Sequence, residues 1–147
     1  MKLHSKKYGD KGKDLIIIHG LFGMSDNWNT LGKQFSKYCK VHLVDLRNHG
    51  RSPHSENFNY EVMCGDILEY MEDNNIINPI ILGHSLGGKV AMKFAFTHPD
   101  KIEKLIVADI SPRRYTTDFV QNLLRTSYKL PLENFEKREE IDRVLSE

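Results

Sequence analysis

A serine between two glycines lies where an apolar run gives way to a helix-like segment. Residues 79–82 read Pro-Ile-Ile-Leu, residues 83–88 read Gly-His-Ser-Leu-Gly-Gly, and residues 89–97 have the composition of a helix. The pattern predicts a strand, a sharp turn and a helix with Ser85 at the apex, because glycine on either side leaves room for so tight a turn. A serine can also cap a helix, but a cap does not require the flanking glycines. We therefore predict that Ser85 is a nucleophile for acyl transfer.

A second apolar run ends in a loop that could donate hydrogen bonds to an oxyanion. Residues 15–18 are Leu-Ile-Ile-Ile, and residues 19–23 are His-Gly-Leu-Phe-Gly. Glycine at the second loop position lets the backbone approach the nucleophile, and the amide of Leu21, or else that of Phe22, is predicted to face the substrate oxygen. The amide of Leu86 is the other predicted donor, because a helix N-terminus carries free amides and a partial positive charge.

Ser85 requires a general base, and three of the seven histidines lie near the motifs described above or directly after the helix predicted at 85–97. His84 is predicted to be a structural or pocket-wall residue, because a sharp turn directs adjacent side chains differently. His19 is predicted to hold the oxyanion loop by a hydrogen bond, and His98 to end a helix.

Short apolar runs alternate with amphipathic segments of helix length, which predicts an α/β fold with a mostly parallel sheet. The expected strands are 15–19, 41–45, 79–83 and 105–109, and the expected helices are 28–38, 60–74, 85–97, 118–130 and 134–145.

Asp109 ends the strand predicted at 105–109 and follows Ser85 by 24 residues. The carboxyl ends of parallel strands gather at the edge where ligands bind, so Asp109 is predicted to be the acid that orients the base. Two alternatives stay open: the acid follows a later strand, outside this chain, or Asp109 caps the turn at 111–112. Asp45 also ends a strand and is predicted to brace the loop that follows it.

Three stretches taken together resemble the α/β-hydrolase superfamily. They are residues 19–23, residues 45–52 with the sequence Asp-Leu-Arg-Asn-His-Gly-Arg-Ser, and residues 83–88. With Ala-Asp-Ile-Ser-Pro at 108–112, the chain is most similar to the small carboxylesterase branch, which includes bacterial esterases and animal and plant abhydrolase-domain hydrolases. In similar proteins the segment that here contains Arg47 and His49 braces the loops around the nucleophile.

The resemblance implies an N-terminal part of a doubly wound α/β-hydrolase core at 1–112 and the start of a helical lid at 113–147. A complete enzyme of this type has roughly 250 residues. The chain is therefore expected to be truncated before the catalytic histidine. No metal or organic cofactor is implied.

The function implied by the resemblance is hydrolysis of small-molecule carboxylic esters through an acyl-enzyme on Ser85, with thioesters as an alternative substrate class. Phe22, Tyr115 and Phe119 are expected to form apolar walls for a short or medium acyl chain. Two other functions stay open. One is an inactive fragment or non-catalytic binding remnant, because fold alone does not guarantee activity. The other is lyase or acyltransferase chemistry by the same serine.

Composition argues against polyanionic partners and membrane insertion. The 21 basic and 20 acidic residues give a net charge of +1, so a basic footprint for nucleic acid is missing. The sequence has neither a secretory leader pattern nor the run of apolar residues that spans a membrane, which predicts a cytoplasmic protein. Cys39 and Cys64 lack metal-ligand spacing and are predicted to be reduced packing residues.

Overall fold

The computed structural model describes residues 1–113, 118–131 and 134–145. They belong to two compact units, Met1–Pro112 and Arg113–Glu147. The first unit holds a sheet of five described strands in the order β1-β3-β2-β4-β5, in which β1 is antiparallel to β3 and all other neighbours are parallel. The strands are β1 (Ser5–Tyr8), β2 (Asp14–Ile18), β3 (Lys40–Val44), β4 (Ile80–His84) and β5 (Lys104–Ala108).

The mostly parallel sheet predicted from the sequence is confirmed, and the four predicted strands lie within one residue of their expected bounds. Strand β1 was not predicted, because Ser-Lys-Lys-Tyr lacks the apolar residues that mark a buried strand. The described helices are α1 (Asn29–Phe35), α2 (Tyr60–Asp73), α3 (Leu86–Thr97), α4 (Asp118–Lys129) and α5 (Arg138–Leu145).

Two helix predictions were wrong in their bounds. The helix expected at 28–38 is a short 3-10 turn, Ser25–Trp28, followed by α1, and it ends early. After Phe35 the amides of Tyr38 and Cys39 both bond to the Phe35 carbonyl, which closes a turn in place of a further helical turn. The helix expected at 134–145 begins only at Arg138.

Apolar side chains cover both faces of the central strand β2. Ile16 and Ile18 of β2 belong to a buried cluster with residues of α2 and α3, and Leu15 and Ile17 belong to a separate cluster packed by Trp28 and Phe35. Alternate residues of a strand point to opposite faces, so a strand buried on both faces reads as a continuous apolar run. This explains why β2 carries no polar alternation after Asp14.

The cysteines are free, as the sequence predicts, and Cys64 is buried on α2. Burial raises the pKa of the Cys64 thiol to about 11. The thiolate is the reactive form of cysteine, so Cys64 is chemically inert at neutral pH.

The buried His42 connects β3, β2 and α2 on the face of the sheet that packs against α2. In β3, His42 Nε2 lies 3.0 Å from the Asp14 carboxylate, and Nδ1 lies 3.0 Å from the Tyr70 hydroxyl, which contacts Ser5 Oγ at 2.9 Å. In the neutral ring, Nε2–H donates to the Asp14 carboxylate, because a carboxylate can only accept. Burial lowers the pKa of His42 from its ordinary value of 6.5, against the opposing effect of Asp14.

We expect the free energy of unfolding to fall as the pH drops below 6.5. The unfolded chain then takes up a proton that folded His42 resists, so the stabilisation present above this pH is lost at up to about 1.4 kcal/mol per pH unit. Denaturant unfolding of the whole protein at pH 7.5 and 5.5 measures the effect. His42→Gln should lose less stability than the wild type, whereas replacing the exposed His54 by Gln should change nothing. Equal losses in both variants would contradict the prediction.

In the parts of the chain that the structure describes, no helix is long and apolar enough to cross a membrane. Those parts also contain no group of three or more His, Cys, Asp or Glu side chains that could hold a metal ion.

Candidate active site

Ser85 forms the junction between β4 and α3 in a backbone conformation that side chains rarely adopt, with φ 50° and ψ −114°. Its amide donates to the carbonyl of Ala108 at the end of β5, over 3.0 Å. Although Ser85 occupies the N-cap position of α3, its hydroxyl makes no capping hydrogen bond. The side chain is therefore not used as a helix cap, and a strained residue held in this way is typical of a functional position.

Glycines make the junction possible. A Cβ atom on Gly83 would collide with the backbone of Gly87, and one on Gly87 would collide with the carbonyls of Ile18 and His19 at the end of β2. The start of α3 thus rests directly on the backbone of β2, with no room for a side chain. This contact sets the distance between the serine and the loop after β2.

That loop lies against the serine. A Cβ atom placed on Gly20 would be 3.2 Å from Ser85 Cβ. The amide of Gly23 bonds to the Gly20 carbonyl over 3.0 Å, which closes a turn around Leu21 and Phe22, and Phe22 has a positive φ of 61°. The sequence prediction that Gly20 permits close approach of the loop is consistent with these contacts.

The amides predicted as oxyanion donors have no competing partner in the described residues. Neither the Leu21 and Phe22 amides nor the Leu86 amide makes a backbone hydrogen bond there. Leu86 is the first residue of α3, where amides point out of the helix unpaired. The three amides stay available for a substrate oxygen, and their role as donors stays a prediction.

His19 fixes the loop after β2. Its Nδ1–H donates to the Gly20 carbonyl over 2.7 Å, and its Nε2 accepts from the Leu46 amide over 3.1 Å. Burial lowers the pKa of His19, so the ring is neutral at pH 7. Since both ring nitrogens are occupied, His19 cannot serve as the base for Ser85, and the predicted hydrogen bond to the loop is present.

Asp45 ties the neighbouring loops together. Its fully buried carboxylate accepts from the amides of Ser25 and Arg51 and from His4 Nδ1. Burial alone would raise the pKa of Asp45, but these hydrogen bonds outweigh it and hold the pKa below its ordinary value. A carboxylate with its oxygens so occupied is a structural brace, which is the role that the sequence predicts.

The loop that follows β3 is anchored to α2 by a buried ion pair. Arg47 donates Nε and Nη2 to the two oxygens of the Asp66 carboxylate over 2.6 and 2.7 Å, and its Nη1 donates to the carbonyl of Asn57. His49 donates Nδ1–H to the Arg47 carbonyl over 2.9 Å. Both residues act as loop supports, in agreement with the sequence analysis.

Asp109 follows β5 directly and is therefore one strand away from Ser85. It has a positive φ of 54°, and its carboxylate is 90% exposed. His84 Nε2 lies 3.8 Å from Asp109 Oδ2, beyond hydrogen-bonding distance. The Ser85 amide binds the carbonyl of Ala108, the residue directly before Asp109. The end of β5 therefore positions both the nucleophile and the candidate acid. The role of Asp109 stays a prediction.

Two cavities flank Phe22, whose side chain is 63% exposed. The first, of about 480 Å³, is lined by the loop after β2 together with the side chains of Trp28, Leu31 and His84. The second, of about 360 Å³, lies towards His49 and Phe58. The His84 ring packs edge-on to Trp28, with 6.1 Å between the ring centroids, so the prediction of a pocket-wall role fits.

The remaining predicted wall residues belong to the second unit. Phe119 is the second residue of α4, and Tyr115 lies outside the described residues. The sequence analysis missed Trp28, Leu31 and Phe58. The first two belong to the helix predicted at 28–38, and they line the cavity together with the loop after β2 and His84, which are distant from them in sequence.

Comparison with known proteins identifies a family match and several related proteins. Residues 14–141 match the family described as "alpha/beta hydrolase fold". The chain is 42% identical over 100 residues to the "sn-1-specific diacylglycerol lipase ABHD11" of Mus musculus, covering 67% of this chain and 33% of that protein. It is 41% identical over 131 residues to a "Probable alcohol acetyltransferase" of Saccharomyces cerevisiae, covering 82% and 38%.

Among solved structures, the chain is similar to one titled "Marine microorganism esterase". The TM-score is 0.91 at 41% identity, covering 99% of this chain and 57% of that one. The chain spans between about a third and just over half the length of the curated relatives it matches, from 32% to 56%. With a family match over most of its residues, the chain belongs to the α/β-hydrolase superfamily.

Proposed function

We propose that the protein hydrolyses carboxylic esters through an acyl-enzyme on Ser85. The observation that carries the proposal is the strained serine at the strand-to-helix junction, with its hydroxyl free of any capping bond and the Gly20 loop against it. Relatives named as lipases and esterases support the reaction class. Thioesters carry the same acyl carbonyl and are included in the proposal.

The reaction proceeds in two acyl transfers. Ser85 Oγ attacks the ester carbonyl and gives its proton to a histidine base supplied by sequence outside these 147 residues, while the amides of Leu21 and Leu86 hold the oxyanion. The alcohol leaves with that proton, and water then attacks the acyl-Ser85 ester with help from the same base. Asp109 orients the histidine and stabilises it when it is protonated.

We propose further that residues 113–147 are the start of a helical lid. The support is the change from the sheet of the first unit to the helices α4 and α5 in the second unit. Phe119 and Tyr115 belong to this proposed lid, and we propose that they and Phe22 form apolar walls for the acyl chain.

A common acyl-enzyme can be tested by partitioning. In aqueous methanol, the whole protein should convert p-nitrophenyl, phenyl and ethyl butyrate into butyric acid and methyl butyrate in one constant ratio. The ratio is constant because water and methanol compete for the same butyryl-Ser85. A butyryl thioester should give this ratio as well. Ratios that change with the leaving group would show direct attack of water on the ester and overturn the acyl-enzyme.

The same measurement tests a second candidate function, acyl transfer to an alcohol, which the name of the yeast relative favours. A ratio of methyl ester to acid far above the molar ratio of methanol to water would identify an acyltransferase. A ratio near or below the molar ratio identifies a hydrolase.

A further inference from the structure

We propose that the cavity bounded by Phe22, Trp28, Leu31 and His84 receives the acyl chain of the ester, and that the cavity beyond Phe22, at Phe58, does not. We call these the tryptophan cavity and the Phe58 cavity. The inference rests on the proposed function and assigns a chemical group of the substrate to one place in the fold.

The tryptophan cavity begins beside the nucleophile. Gly20 and His84 both line it, and Gly20 is also the residue whose α-carbon faces Ser85 Cβ. An acyl group bonded to Ser85, with its oxygen at the Leu21 amide, would therefore have its chain at the mouth of this cavity. Its volume of about 480 Å³ falls within the range of small-molecule sites.

The lining suits an apolar chain. Trp28 and Leu31 supply hydrocarbon surface, and Trp28 is itself packed against the buried cluster that contains Leu15 and Leu82, which fixes the wall. The side-chain oxygen of Asn27 already accepts from the Met24 amide over 2.7 Å. His19, also in the lining, uses both ring nitrogens within the protein. These two polar residues can therefore be covered by an apolar chain without losing their hydrogen bonds.

The order of the strands indicates that the acyl chain, and not the leaving alcohol, enters the tryptophan cavity. In the sheet, β4 lies between β2 and β5. Asp109 follows β5, so the histidine that it orients stands on the β5 side of Ser85, and the leaving oxygen must face that histidine to be protonated. The acyl carbon carries its chain away from the leaving oxygen, towards β2. The tryptophan cavity, built on the loop after β2, lies on that side.

Filling the cavity tests the assignment. In the whole protein, Leu31→Trp should reduce kcat/KM for p-nitrophenyl octanoate relative to p-nitrophenyl acetate by about tenfold or more, because the displaced methylenes lose their apolar contacts. For acetate esters with alcohols from methyl to hexyl, the relative kcat/KM values should stay as in the wild type. Phe58→Trp is the matched control, since Leu31 and Phe58 are equally exposed at 41%. It should leave both profiles unchanged.

Other outcomes overturn the assignment. A response confined to the alcohol series would place the leaving group in the tryptophan cavity, and a response to Phe58→Trp instead would move the acyl chain to the Phe58 cavity. An unchanged octanoate to acetate ratio in Leu31→Trp would show that the cavity is not used.

A binding measurement separates this inference from the proposed function. With 5-fluorotryptophan incorporated and the Trp28 signal assigned through Trp28→Phe, octanoate should shift the ¹⁹F resonance and acetate should not. If the protein hydrolyses no ester but the octanoate shift appears, the proposed function fails while the chain-binding cavity stands. If the protein hydrolyses octanoate esters and the resonance does not move, the cavity assignment fails alone.

Discussion

Ser85→Ala is expected to abolish labelling of the whole protein by a fluorophosphonate probe and to lower kcat for ester hydrolysis by on the order of 10⁵–10⁶. The probe phosphonylates a serine only where the hydroxyl is activated and the developing oxyanion is held. Ser85 is half-buried and its hydroxyl makes no capping hydrogen bond, and the amides of Leu21 and Leu86 lack other partners among the described residues. The loss should be larger than for any other single substitution, because no residue can replace the attacking oxygen.

The measurement is gel fluorescence after labelling, followed by identification of the modified peptide. Ser36→Ala, at the end of α1, is a control and should label like the wild type, since its hydroxyl bonds to the Lys33 carbonyl and lies apart from the junction. Persistent labelling of Ser85→Ala would show that another residue is the nucleophile.

Asp109→Asn is expected to lower kcat by on the order of 10⁴ with little change in folding. Asparagine keeps the shape of aspartate but cannot stabilise a protonated histidine or hold its tautomer. It also tolerates the positive φ of 54° at this position, which alanine would occupy only with strain. The substitution therefore separates the chemical role of the carboxylate from the role of the backbone turn.

Steady-state kinetics and a thermal unfolding curve for the same preparation test this prediction. Asp100→Asn is the control, because Asp100 lies on the short turn Pro99–Lys101 at the opposite end of β5 from Asp109. It should keep full activity. If Asp109→Asn loses less than about tenfold in kcat, the acid is a different residue, outside these 147 positions.

The serine junction could be predicted from the sequence because its geometry requires glycine at two positions close to the serine. Tight backbone contacts at Gly83 and Gly87 admit no side chain, so the residue types themselves record the geometry. The role of Asp45 as a loop brace could also be predicted, although the groups that bind its carboxylate could not. His4 reaches Asp45 from 41 residues away, and only the pairing of β1 with β3 brings the two together.

The cavities could not be predicted, because they form between segments that are distant in sequence. Trp28 and Leu31 meet the loop after β2 and His84 at one cavity, and the same loop meets Phe58 at the other. Strand β1 escaped prediction for a related reason, since its Lys6 and Lys7 are tolerated at a sheet edge that a sequence pattern does not identify.

The backbone of Ser85 also bears on how such a protein changes when selection relaxes. A side chain held at φ 50°, ψ −114° stores roughly 1–3 kcal/mol that glycine would not. Ser85→Gly thus releases strain in the same step that removes the nucleophile. A gene copy no longer selected for turnover can therefore gain stability from a substitution that ends its chemistry. Catalytically silent descendants of this fold should therefore carry glycine at the junction, and should outlast their active parent on heating.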